Sequence, residues 1–213
     1  MADYPSRCGA DACKNLNYTC TGNEFSKPCV CGNKFLGPKD LKPNNPALEQ
    51  VFATYKALNN TCPDVYLKSW TTWTYPPKNP RDKYPNNNGF EGSPKKGSPK
   101  IGDIVDRFGS WNGKYLAPAL TPFVRRSTPL GNLVPRSKSN LDNYWAYRVN
   151  GTLNAQEGKI APFYGQPGCG TQWYVNETLD CLVKNGTLIP VKPSGSGSHI
   201  EWKAASVPQG NCH

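Results

Sequence analysis

The chain has 213 residues, a formal charge of +10, 20 Gly and 21 Pro. That length allows one medium domain or two small ones. Eleven Tyr, seven Phe and six Trp supply enough apolar surface for a packed core, which excludes a disordered or collagen-like chain.

Nine cysteines are dense for this length. His occurs only at 199 and 213, and no pair of CxxC elements exists, so disulfides explain the cysteines better than a metal site. Asn-x-Ser/Thr sequons at Asn17, Asn59, Asn150, Asn176 and Asn185 point, with the cysteines, to a secreted or cell-surface protein. The first residues, Met1-Ala2-Asp3-Tyr4-Pro5, open no apolar run. The reading is a mature chain whose leader has been removed and which carries an added Met. No segment approaches the roughly 20 apolar residues of a membrane span. The basic residues suit an anionic partner, but they are scattered. Lys95-Lys96 and Arg125-Arg126 are the only doublets, so no basic arm points to nucleic acid.

Six cysteines fall between Cys8 and Cys62, enough for three local bridges. Cys169, Cys181 and Cys212 leave one odd thiol. Asn45 as cap, Pro46 at the first helical position and Leu48, Val51, Phe52, Tyr55 and Leu58 at helical spacing predict a helix over 46–58, packed on a core or on a partner subunit. Residues 76–100, dense in Pro, Asn, Gly, Ser and Lys, read as a linker or long loop. They place a boundary between residues 1–100 and 101–213.

The second part reads as α+β. Strands are expected within Ile101–Phe108 and at Tyr144–Val149, Lys159–Tyr164, Thr171–Val175 and Thr187–Val191. A short helix precedes the last, with Asn176 as cap, Leu179, Leu182 and Val183 facing inward, and Gly186 at the exit. Residues 127–140 form a polar loop. Within it, Leu133-Val134-Pro135-Arg136-Ser137 matches a thrombin recognition sequence, read as an engineered cleavage site on an exposed loop.

Familiar catalytic engines are missing. Two His near the C-terminus do not suit a Ser-His-Asp or Cys-His site, or a paired-His nuclease, and no GxGxxG, Walker loop or HExxH is present. No carboxylate pair stands out for a two-carboxylate glycosidase. Two other stretches do stand out. One runs Asp106-Arg107-Phe108-Gly109, then Gly113-Lys114-Tyr115-Leu116-Ala117-Pro118, then Thr121-Pro122-Phe123-Val124-Arg125-Arg126. The other runs Ile160-Ala161-Pro162-Phe163-Tyr164 into Gly165-Gln166-Pro167-Gly168-Cys169-Gly170-Thr171-Gln172. By itself the glycine-rich stretch also fits a tight hairpin that needs positive φ.

Together, in this order and over residues 101–191, these motifs resemble the TNT domain, the tuberculosis necrotizing toxin family of NAD glycohydrolases. The Cys-rich first part further resembles the fungal surface NADases, which join an N-terminal extension to a TNT domain. The resemblance implies a disulfide-rich N-terminal part with an apolar helix, followed by a TNT-like domain on a mainly antiparallel β-sheet. It implies secreted hydrolysis of NAD, and of NADP, to nicotinamide and ADP-ribose, by a homodimer joined through the N-terminal part.

It also implies roles. Gln172 matches the Gln at the catalytic centre and Arg107 an active-site Arg. Tyr115 matches an aromatic at the nicotinamide end. Arg126, or its neighbour Arg125, matches a second substrate-contacting Arg, and Phe108 is a pocket wall or core residue. Cys169 departs from the family's small residue and is expected to bridge to Cys181. No cofactor is implied, since NAD is substrate. Calcium sites near the C-terminus of some fungal relatives use carboxylates, which Pro193–Ser198 lacks, so no metal is expected there. Other readings are a basic binding module or effector, or a nuclease acting on an anionic partner.

Overall fold

The computed structural model describes residues 6–18, 20, 29–39, 41, 43–135, 143–196 and 199–207. Eight strands form one antiparallel sheet: β1 (Lys95–Lys96), β2 (Ile104–Phe108), β3 (Tyr115–Pro118), β4 (Tyr144–Val149), β5 (Ala155–Lys159), β6 (Thr171–Val175), β7 (Leu188–Ser196) and β8 (His199–Ala204). Their order across the sheet is β1-β5-β6-β3-β2-β4-β7-β8. β3 thus lies between β6 and β2, with Tyr115 opposite Tyr174 and Val105 opposite Pro118.

Side chains alternate between the two faces of a strand, and each face has its own apolar cluster. On one, Phe108, Tyr144, Ala146 and Val191 join Leu48, Val51, Tyr66 and Leu67 from the first part of the chain. On the other, Val105, Leu116, Tyr147, Trp173 and Val175 pack with Leu179 and Leu182. Those two leucines belong to the short helix α3 (Leu179–Lys184). Its N-cap is Thr178 rather than Asn176, and Gly186 exits at φ +78°.

The first part is organised by disulfides and two short helices. Cys8–Cys62, Cys13–Cys31 and Cys20–Cys29 are bonded. The expected helix over 46–58 is shorter: α1 spans Pro46–Phe52, with the Asn45 side chain accepting from Leu48 N at 3.0 Å. Leu58 falls instead in a separate 3-10 turn at φ +50°, a backbone value that ends helical propagation. The apolar face of α1 is covered by this chain's own core. Ala47, Leu48 and Val51 are fully buried there. A second helix, α2 (Pro63–Trp70), has no counterpart in the sequence reading.

Three further expectations are corrected. Lys159–Tyr164 is not a strand. The strand ends at Lys159, and Phe163–Gln166 closes a two-residue turn with Tyr164 at φ +53° and Gly165 at φ +70°, the paired positive φ of a tight hairpin. Cys169 does not bridge to Cys181: Cys181 is in a disulfide, and Cys169 is free and exposed. The thrombin-like stretch does not begin on an exposed loop, because Leu133 and Pro135 are buried. Asn143 Nδ2 holds that backbone through Asn132 O (2.7 Å) and Val134 O (3.3 Å). Arg136 and Ser137 lie outside the described residues.

Residues 76–100 form a long loop folded onto the sheet. β1 pairs with β5, and Glu91 N donates to Lys159 O at 2.8 Å. Of the sequons, Asn17, Asn150, Asn176 and Asn185 are exposed. Asn59 is half-buried and donates to Tyr164 O at 3.3 Å. No helix among the described residues is long and apolar enough to cross a membrane.

Candidate active site

β6, β3 and β2 run side by side, so residues distant in sequence meet at one end of the sheet. A cavity of about 610 Å³ opens there, lined in part by Arg107, Phe108, Tyr115, Arg126 and Gln172. That volume is in the range of small-molecule sites, roughly 300–1,000 Å³. Five of the six predicted catalytic or substrate-contacting residues therefore share one pocket. Arg125 is not among them.

Gln172 is delivered by the glycine-rich stretch. Gly168 (φ +66°) has no room for a side chain, since a Cβ would sit 2.5 Å from Ile160 O. At Gly170 a Cβ would meet Arg125 O at 2.6 Å. The same contacts carry hydrogen bonds: Cys169 N donates to Ile160 O (2.8 Å) and Gly170 N to Arg125 O (3.1 Å). The tight turn and the placement of Gln172 are thus two parts of one device. The glycines let the backbone pass close, and Gln172 emerges on β6 only 9% exposed, its Nε2 donating to Asn88 O at 2.9 Å.

Arg107 and Phe108 leave β2 on opposite faces. Phe108 is both core and wall: it packs on Phe52, Phe123 and Tyr144 with ring centroids 5.1 to 5.5 Å apart and still lines the cavity. The Arg107 guanidinium lies against Gly113, where any Cβ would collide with it, and Nη1 donates to Tyr115 O at 3.3 Å. Tyr115, 39% exposed, packs on Tyr174 at 5.0 Å. Partial burial raises its hydroxyl pKa, with Tyr174 adding to the rise and Arg107 opposing it. The ring therefore stays neutral.

The 3-10 turn Phe123–Arg125 separates the two neighbouring arginines. Phe123 and Arg126 point inward and Arg125 is exposed. Arg126 forks onto Asp106, with Nη1 on Oδ1 and Nη2 on Oδ2 at 2.9 Å, and Nε donates to Thr121 O at 2.8 Å. Tyr144 OH donates to the same Oδ2 at 2.8 Å. Burial pushes the Asp106 carboxyl up, and the Arg126 fork and the Tyr144 hydroxyl oppose it. Two ions buried together this way are costly unless their hydrogen bonds are met. Here Asp106 accepts from the Arg126 fork, the Tyr144 hydroxyl and a backbone group at Leu120, and Arg126 is among the residues that line the cavity.

The sequence reading missed Asp106, Tyr144, Tyr174 and the loop residues Tyr84, Pro85, Asn88 and Gly89, all but Tyr144 in the pocket wall. Asp106 had a usable signal: it sits two residues from Phe108 on a strand and so shares its buried face. A backbone carbonyl such as that of Asn88 has no sequence signature. Among the described residues no group of three His, Cys, Asp or Glu side chains is placed to hold a metal ion.

Three comparisons show what the chain is similar to. Residues 100–191 match the family model described as tuberculosis necrotizing toxin (TNT). The chain is 32% identical, over 98% of its length and 88% of the relative's, to the conidial surface nicotinamide adenine dinucleotide glycohydrolase nadA of Aspergillus fumigatus. Its fold is similar to that of the tuberculosis necrotizing toxin solved with its immunity factor. There the TM-score is 0.53 at 20% identity, covering 82% of this chain and 98% of the toxin chain.

Proposed function

The chain belongs to the TNT-type NAD glycohydrolase family, and from that premise we propose that it hydrolyses the nicotinamide–ribose bond of NAD to give nicotinamide and ADP-ribose. The observation that carries this is the convergence of Gln172, Arg107, Tyr115, Phe108 and Arg126 on one cavity of dinucleotide scale. The chemistry suits these residues. The bond from ribose C1′ to the pyridinium nitrogen breaks with its electron pair going to the ring, so nicotinamide leaves neutral and needs no general acid. The ribosyl C1′ passes through an oxocarbenium-like state and is captured by water, whose proton passes to solvent.

What the protein must supply is position and charge. Arginine forks suit the diphosphate, Tyr115 offers a neutral aromatic face, and the Gln172 amide can bond water or a ribose hydroxyl without carrying charge. Most of the acceleration then comes from orientation and preorganised dipoles. The reaction as proposed uses no cofactor.

The test is NAD turnover with chromatographic identification of both products, in wild type and Gln172→Ala. The expected result is equimolar nicotinamide and ADP-ribose, with kcat lowered roughly 10²–10³-fold in the variant, as when one preorganised polar partner is lost. Wild-type rates in Gln172→Ala overturn the assignment of Gln172. No nicotinamide from the wild type overturns the reaction.

The same proposal includes NADP as a second substrate and secretion or display at the cell surface, the latter supported by the disulfides of the N-terminal part and four exposed sequons. It also includes a homodimer. That rests on the family resemblance, and sedimentation velocity of the purified chain decides it.

A further inference from the structure

The loop at 84–89 precedes the 100–191 segment that matches the family model, yet Tyr84, Pro85, Asn88 and Gly89 line the cavity. Its backbone is tied to the sheet at successive points. Asn88 O accepts from Gln172 Nε2 (2.9 Å), Gly89 O from Ala161 N (2.9 Å), and Glu91 N donates to Lys159 O (2.8 Å). The turn that allows this needs three consecutive left-handed residues, Asn87 at φ +56°, Asn88 at φ +52° and Gly89 at φ +79°. Asn and Gly are the residues that adopt that conformation at low cost.

The partner fixes which way the amide points. A carbonyl can only accept, so the atom bonded to Asn88 O is the NH₂ end, and Oε1 is the end left over. Oε1 has no hydrogen-bond partner among the described residues, on a side chain that lines the cavity. At Gly89 a side chain would begin 3.8 Å from Nε2 and 4.0 Å from Oε1, so glycine also keeps this end of the cavity open.

We propose that the 84–89 loop is a positioning element of the active site: the Asn88 carbonyl takes up the donor end of the Gln172 amide and thereby presents its acceptor end to the substrate. Gln172 is then specified as an acceptor, suited to a hydrogen bond from the attacking water or from a ribose hydroxyl. Without the carbonyl the amide can turn either way and offer a donor instead. Asn88 acts through Gln172 and is not itself a catalytic residue. This deepens the NAD hydrolase reading and rests on it.

The experiment compares Asn88→Pro, Gly89→Val and Asn88→Gly with wild type in steady-state NAD turnover and thermal melting. Proline cannot reach φ +52°, so the carbonyl must move, and valine at 89 strains the same turn. Glycine at 88 keeps the turn while deleting the side chain. The expected result is a fall in kcat on the order of 10- to 100-fold for Asn88→Pro and Gly89→Val, with KM within about threefold, and a much smaller fall for Asn88→Gly, which keeps the carbonyl. A structural role alone would lower the melting temperature without this kcat-selective loss.

Folded Asn88→Pro or Gly89→Val with wild-type kcat overturns the proposal alone. So does an equal kcat loss in Asn88→Gly, which would assign the effect to the side chain. Either disrupting variant suffices if the other does not fold. A wild-type chain inert on NAD overturns the hydrolase reading and this proposal together.

Discussion

The sheet between β2 and β6 and the segment before residue 100 contribute to the same pocket in different currencies. From the sheet come side chains: Arg107, Phe108, Tyr115, Tyr174 and Gln172. From the earlier segment come a backbone carbonyl at Asn88 and an apolar backing of Leu48, Val51, Phe52 and Leu67. The first region is stiff because its backbone groups are paired strand to strand. The second, poor in regular structure, is held by disulfides and by the cluster it shares with the sheet. The proposed chemistry sits where the backbone is self-supporting, and its proposed orientation depends on a region that is not.

The largest expected effect tests the sheet side of that contrast. Asp106→Ala leaves the Arg126 guanidinium buried without its counter-ion, while Tyr144 OH loses its acceptor. Removing one member of a buried pair costs about 3–5 kcal/mol, read as a fall in the urea-unfolding free energy. The double variant Asp106→Ala/Arg126→Met should recover part of that loss, because no charge is left stranded, yet should remain weak on NAD. Equal stability of Asp106→Ala and wild type would show that this pair does not hold the floor of the pocket.

A smaller effect tests the N-terminal side. The Cys8–Cys62 bridge closes a loop with a separation of 54 residues, which in the chain-entropy account is worth about 4 kcal/mol at most. Replacing both by Ser should lower the melting temperature with kcat at 25 °C little changed in the folded fraction. This is because Arg7 Nη2 still reaches Asn60 O at 2.6 Å, and the tie from Asn88 to Gln172 lies elsewhere. A selective loss of kcat would mean that the disulfide frame also sets the pocket's geometry.

What the sequence disclosed follows the same division. Tyr144–Val149 and Thr171–Val175 are strands at the expected bounds, since β-branched and aromatic residues there satisfy both local propensity and burial. The five expected residues that line the cavity were legible through ordered motifs on neighbouring strands. Ala155–Lys159 was not, because Gln156, Glu157 and Gly158 favour a strand only once β6 offers a partner along its length. The choice between Arg125 and Arg126 depends on a 3-10 turn and a carboxylate 20 residues earlier, neither visible in local pattern. Cys169 was misassigned because closeness in sequence to Cys181 says nothing about the strand β6 that separates them.

The smallest effect concerns a half-buried acid that the proposed chemistry does not use. Asp82 lies on the segment leading into the 84–89 loop, bridged to Thr71. Burial raises its pKa to about 6, against a partial opposing pull from Lys34. The carboxyl in the unfolded chain titrates near 4, so between about pH 4 and 6 the folded protein holds a proton that the unfolded chain releases. This group's contribution to stability is therefore greatest below about pH 4, declines as pH rises through that window, and is flat above it. Asp82→Asn removes the charged form. Its stability relative to wild type should rise by on the order of 1–2 kcal/mol from pH 4 to pH 7, allowing for partial exposure, and the two proteins should be alike at pH 4. Urea midpoints at pH 4, 5, 6 and 7 measure the difference directly. An unchanged difference across the series would mean that water reaches the carboxylate in the folded protein.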